Sequence, residues 1–150
     1  ESLMADLSTR YGPERGNDSV TARPNQCELL LRQADGYYKS GDFETAKSTL
    51  FEILEDSLTV CHSDALFYIG VIALQQEKPG LALECFSKIE DLEHFGDDIY
   101  WYQALAIVQL AETNPLLKEK AVRAVDRART NARDSIRRGQ ADRMLKHLSE

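Results

Sequence analysis

Apolar residues recur at three- and four-residue steps along most of this chain, and clusters of glycine, proline, asparagine and aspartate break the pattern at intervals. The clearest stretch runs from Asp64 to Phe86. Leu66, Ile69, Gly70 and Ala73 share one helical face, Lys78-Pro79-Gly80 interrupts it, and Ala82, Phe86 and Ile89 resume the same period. That spacing predicts two helices folded back to back. Small Gly70 and Ala82 allow the helices a close approach, while Leu66 and Phe86 fill the space around them.

The pattern occurs three times. Upstream, Leu30, Ala34 and Tyr37 form a face, Ser40-Gly41-Asp42 turns the chain, and Phe43, Ala46, Leu50 and Ile53 continue. Setting Ala34 against Gly70 places Ala46 against Ala82 and Leu50 against Phe86, a displacement of 36 residues (70 − 34). Downstream, Ala104 stands 34 residues after Gly70 (104 − 70), with Tyr100 for Leu66 and Ile107 for Ala73. Ala121, Val125 and Ala128 supply the second helix, after a longer turn over 111–118 that contains Asn114-Pro115. Past Ala128 the apolar phase rotates. Thr130-Asn131 and Asp134-Ser135 offer a stop and a new N-cap, so a seventh, closing helix is expected with Ile136, Leu145 and Leu148 inward and Arg137, Arg138 and Arg143 outward. Residues 1–24 are punctuated by Gly12-Pro13, Gly16-Asn17-Asp18 and Pro24 and read as an irregular arm, although Leu3, Met4, Leu7 and Tyr11 have the spacing of one short docking helix.

The repetition over residues 25–148 resembles the tetratricopeptide repeat family. The features that carry it are Tyr37, Gly41-Asp42-Phe43 and Ala46 in the first copy, Gly70, Ala82 and Phe86 in the second, and Tyr100, Ala104 and Ala121 in the third. Gln33 and Gln103 depart from the apolar residues usual there, and no proline closes a repeat. The resemblance implies an all-α, right-handed α-α superhelix of three helical hairpins, about 27–59, 63–95 and 97–131, plus a closing helix about 134–148. A single domain over 25–150 follows, acting as a non-catalytic protein-interaction scaffold. Its concave groove would be lined by the first helix of each hairpin: Leu31, Asp35 and Tyr38, then Phe67, Val71 and Leu74, then Trp101, Leu105 and Val108, flanked by Glu28, Lys39, Asp64, Gln75, Asp98 and Gln109. The family's carboxylate clamp is missing apart from Lys39. Two occupants suit so apolar a groove: a partner's helix or peptide, or the chain's own arm, which would make the domain a spacer or self-associating unit. More narrowly, the run from Trp101 to Ala106, between an acidic linker and a basic closing helix, resembles the soluble part of bacterial, Bacteroidetes-type membrane-anchored repeat proteins, which implies the periplasmic side of the cell envelope; the cytoplasm is the alternative.

At 150 residues, 43% of them hydrophobic and 29% charged, the chain is large enough for one core without staples. No run of about 18 apolar residues suggests a membrane span. Residue 1 is glutamate and the first methionine is Met4, so the sequence reads as part of a longer protein. Its net charge of −7 is unevenly divided: residues 118–150 hold 10 of the 18 basic and 5 of the 25 acidic residues, leaving 8 and 20 to the rest. Arg129, Arg133 and Arg137 would form a phosphate-facing stripe on one continuous helix. The acidic body, the lack of interleaved aromatic residues, and Asp126, Asp134 and Asp142 weigh against nucleic acid.

Cys27, Cys61 and Cys85 are odd in number and widely spaced, and are expected to be free buried thiols. Cys61-His62 has too few neighbours of the right kind for zinc, and adjacent side chains point apart, which disfavours a catalytic pair. Glu90, Asp91, Glu93, His94, Asp97 and Asp98 form a linker without calcium-loop spacing, so they read as solvated charge with Asp97 or Asp98 capping the next helix. Neither a phosphate-binding glycine loop nor a hydrolase elbow is present. The sequence therefore implies no cofactor, metal or catalytic residue.

Overall fold

The computed structural model describes residues 26–56 and 61–150, and these are folded into helices without a strand among them. In chain order they are α1 (Gln26–Lys39), α2 (Phe43–Glu55), α3 (His62–Gln75), α4 (Pro79–Ser87), α5 (Asp98–Thr113), α6 (Lys118–Asn131) and α7 (Ser135–Leu148), with single 3-10 turns at Glu93–Phe95 and Pro115–Leu117. The arm expected over 1–24 lies outside the described residues. Where the sequence predicts one domain over 25–150, contacts divide the chain within α3, between Ile69 and Gly70, into two compact units.

In the first unit α1 and α2 pack as a hairpin. Ala34 and Ala46, the small residues of the repeated pattern, are both fully buried. The turn closes α1 with a left-handed residue, Gly41 at φ +85°. The Asp42 amide donates to the Tyr37 carbonyl at 2.9 Å, and the Gly41 amide to that of Tyr38 at 3.0 Å. Asp42 then caps α2, its Oδ1 accepting the Thr45 amide at 3.2 Å. Hydrogen bonds from Thr45 hold the Asp42 carboxyl below its ordinary range. The folded-state pKa is depressed, so the cap is intact at neutral pH and is lost as pH falls through that lowered value.

The cysteines overturn the free-thiol expectation. Cys27 and Cys61 form a disulfide, with Cα atoms 5.9 Å apart, and only Cys85 keeps a buried thiol. An odd count forbids a closed framework but not a single bridge. It spans 34 residues and ties the start of α1 to the start of α3.

In the second unit Gly70 faces Phe86, as the spacing predicts. A methyl group at Gly70 would overlap the Phe86 ring, and Phe86 is fully enclosed. The α3–α4 turn repeats the α1–α2 turn hydrogen bond for hydrogen bond. The Lys78 amide donates to the Ala73 carbonyl at 2.8 Å and the Glu77 amide to that of Leu74 at 3.1 Å. Glu77 therefore occupies the place of Gly41, 36 residues on, at φ +59°. A side chain with Cβ is strained there. Replacing Glu77 by Gly is expected to raise the unfolding free energy by about 1 kcal/mol, and Gly41→Ala to lower it by a similar amount; paired denaturant titrations measure both.

The third hairpin turns differently. Asn114 is extended, its Oδ1 accepts the Leu116 amide at 3.2 Å, and Pro115 opens the 3-10 turn that leads into α6. Ala104 of α5 meets Ala121, Ala124, Val125 and Ala128 of α6, and Ala141 and Leu148 of α7 complete this small-residue core. Short connections fold α6 back on α5 and α7 back on α6, so α5 and α7 point the same way.

Asp134 caps α7 as expected, accepting the Arg137 amide at 2.7 Å. Leu148 is buried, and Arg138 and Arg143 are exposed. Two expectations fail. Ile136 is 71% exposed, whereas Arg137 turns inward, with a side chain only 23% exposed. An ion pair across 39 residues of sequence, Arg137 to Asp98, decides the rotation of the helix.

Candidate partner-binding groove

The parallel course of α5 and α7 leaves a trough between them in the second unit. Trp101, Leu105, Val108 and Glu112 come from α5, and Gln140, Arg143, Met144 and His147 from α7, around a volume of about 440 Å³. Their spacing follows from helical geometry. Positions 101, 105, 108 and 112 advance by four, three and four, and on the facing helix 143 and 144 lie three and four residues after 140, with 147 four and three residues after them, so each set occupies one stripe. Trp101, Leu105, Val108 and Met144 are only partly buried, which gives the trough an apolar floor with charged and polar groups at its edges.

One end of the trough is pinned. The Arg137 guanidinium bonds to Asp98 Oδ1 at 2.5 Å and lies over the Trp101 ring, 5.5 Å from its centroid. Burial opposes the Arg137 charge, but the Asp98 hydrogen bond and the nearby carboxylates outweigh it and raise its pKa above the ordinary value. Next to it, Asp97 Oδ2 accepts the Arg133 amide at 3.0 Å. Neither acid caps α5 as the sequence suggests: no side-chain cap bond forms at Asp97, and both carboxylates tie the start of α5 to the α6–α7 junction. Sequence reasoning missed Arg137 because its partners are distant along the chain. Arg137→Ala is expected to cost about 1–2 kcal/mol, combining a partly screened ion pair with a cation–π contact. It is also expected to change the fluorescence of Trp101, the chain's single tryptophan. An emission spectrum unchanged from wild type, together with an unchanged unfolding midpoint, contradicts the contact.

The nine residues expected to face a partner separate into two groups. Leu31, Asp35, Tyr38, Phe67, Val71 and Leu74 are buried. Every residue from Asp64 to Leu74 is buried, as befits a helix that is apolar almost all round. These six are thus enclosed rather than displayed. Trp101, Leu105 and Val108 remain partly open and are brought together in the trough.

The phosphate-facing stripe is broken. α6 ends at Asn131 and α7 begins at Ser135, Arg129 pairs with Asp142, and Arg137 pairs with Asp98. Cys61 is consumed by its disulfide. Burial, reinforced by Glu84 and only partly offset by Lys88, raises the pKa of Cys85, which keeps the thiol protonated and unreactive at neutral pH. No group of three or more His, Cys, Asp or Glu side chains suited to a metal ion gathers among the described residues. Nor is any helix among them long and apolar enough to cross a membrane. No protein-family model and no curated protein matches this chain.

Proposed function

We propose that this chain is a tetratricopeptide-like repeat scaffold, three helical hairpins and a closing helix wound into a right-handed superhelix, that acts without catalysis by binding a segment of another protein. The observation that carries the reading is the half-open apolar floor of Trp101, Leu105, Val108 and Met144 between two parallel helices. Apolar side chains exposed together in a trough mark a place where another surface is received. The 36-residue recurrence of the turn, with its matched hydrogen bonds at Gly41 and Glu77, supports the repeat. Rigid hairpins would present the floor with little reorganisation, which favours affinity.

The Cys27–Cys61 bridge supports a compartment that sustains disulfides, in keeping with the periplasmic side of a cell envelope. For Leu31, Tyr38, Phe67 and Val71, burial favours a supporting role, in which the first two hairpins hold the structure and the third does the binding.

Selection of binders from a displayed random peptide library, followed by Trp101 fluorescence titration, tests the proposal. Selected peptides are expected to bind Leu105→Asp and Val108→Asp at least about tenfold more weakly than wild type, the scale of a buried interface anchor. Circular dichroism verifies that each variant is folded. Peptides that bind folded variants and wild type alike, or a library that returns no binder, count against it.

A further inference from the structure

The two walls of the trough carry opposite charge. On the α7 side the charged lining residue is Arg143, with His147 one turn later; on the α5 side it is Glu112. Other arginines of this basic tail are already engaged, Arg129 by Asp142, Arg137 by Asp98 and Arg123 by Glu119. Arg143 makes no ion pair with any described residue, and its side chain lies along α7 over Gly139, with Nη1 3.7 Å from where a methyl group there would sit. The apolar floor runs from Trp101, pinned beneath Arg137, towards Glu112. Those 11 residues of α5 (112 − 101) span about 16 Å, or three helical turns.

We propose that the occupant is an amphipathic helix of another protein, about three turns long, whose apolar stripe lies on Trp101, Leu105, Val108 and Met144 and whose flank facing α7 carries carboxylates. This rests on the partner-binding reading given above and adds the chemistry of the partner. The floor supplies contact area, and the asymmetric walls supply direction. A carboxylate flank meets Arg143, while a basic residue on the opposite flank meets Glu112. A helix laid in the reverse sense, or one with the opposite flank charges, brings like charges together on both walls.

The test uses three synthetic helix-forming peptides of 14 residues with the full 150-residue chain, oxidised, and reads the Trp101 emission. The first peptide has a Leu/Phe stripe with Glu on one flank and Lys on the other. The second has the same stripe with neutral Gln flanks, and the third has the charged flanks of the first with a Ser stripe. At low salt the charged amphipathic peptide is expected to bind about fivefold tighter than the Gln-flanked one, the advantage shrinking as salt is raised above the physiological range. Arg143→Glu is expected to abolish or reverse this preference. The Ser-stripe peptide is not expected to bind.

Equal binding of charged and Gln-flanked peptides by wild type, or the same preference in Arg143→Glu, overturns the charge assignment and leaves the apolar groove standing. Failure of both apolar peptides overturns the groove as well. Binding that appears only after removal of residues 1–20 makes the chain's own arm the occupant and rejects the external helix. Dimerisation lost on Leu105→Asp, seen by sedimentation, makes it a second copy, with the same consequence.

Discussion

Phe86→Ala is expected to destabilise the protein by about 3–5 kcal/mol, the range for removing a large aromatic side chain from a closed core. Phe86 is about 1% exposed, and its ring occupies the space that a side chain at Gly70 would need. The two positions are thus one packing unit. Gly70→Ala alone adds a methyl group against the ring. Its gain in helix propensity, about 1 kcal/mol, opposes an overpacking cost of about 1–3 kcal/mol, so a net loss of stability is expected. In the double variant the added methyl group enters the cavity left by the ring, and the combined loss falls short of the sum of the single losses. Urea unfolding of all four proteins gives the coupling. A strictly additive cycle, or a Phe86→Ala loss within the few tenths of a kcal/mol usual for surface changes, sinks this account of the α3–α4 contact.

Removal of the Cys27–Cys61 bridge has the second large effect. It closes a loop of 34 residues, for which chain-entropy arguments give about 3–4 kcal/mol. The Cys27→Ala/Cys61→Ala variant is expected to unfold at correspondingly lower denaturant, and a reducing agent is expected to lower the stability of wild type but not of the variant. Cys85 stays buried in both and reacts slowly with thiol reagents until the protein unfolds. Reductant that lowers both proteins equally, or neither, rules out the bridge as a source of stability.

The local architecture was largely legible, because local rules and packing demand the same residues. Gly41-Asp42 both turns and caps, Asp134 caps α7, and the small residues at 34, 46, 70 and 82 mark close helix approaches. The orientation of α7 was not legible. Hydrophobicity alone points Ile136 inward, but Arg137 finds Asp98 and Trp101 39 and 36 residues earlier, and that long-range pairing prevails. Asp97 and Asp98 look like capping residues by position, and only the fold gives them partners at 133 and 137.

The candidate site was half legible. Trp101, Leu105 and Val108 do share a face, but the opposite wall of the trough, Gln140, Arg143, Met144 and His147, follows from the return of α7 alongside α5. Leu31, Phe67 and their neighbours have the same helical spacing as the open residues, and periodicity does not distinguish a buried face from a displayed one. The disulfide joins cysteines at the starts of α1 and α3, a pairing that parity of the cysteine count obscured.

The bridge also changes what a protease can accomplish. A cut at the Ser40–Asp42 turn, or anywhere else between Cys27 and Cys61, severs the backbone but leaves both fragments in one covalent molecule, since the crosslink encloses the cleavage point. Such a nicked chain migrates intact on a non-reducing gel and separates only after reduction. Damage at the first hairpin would thus be held in place for as long as the surroundings remain oxidising.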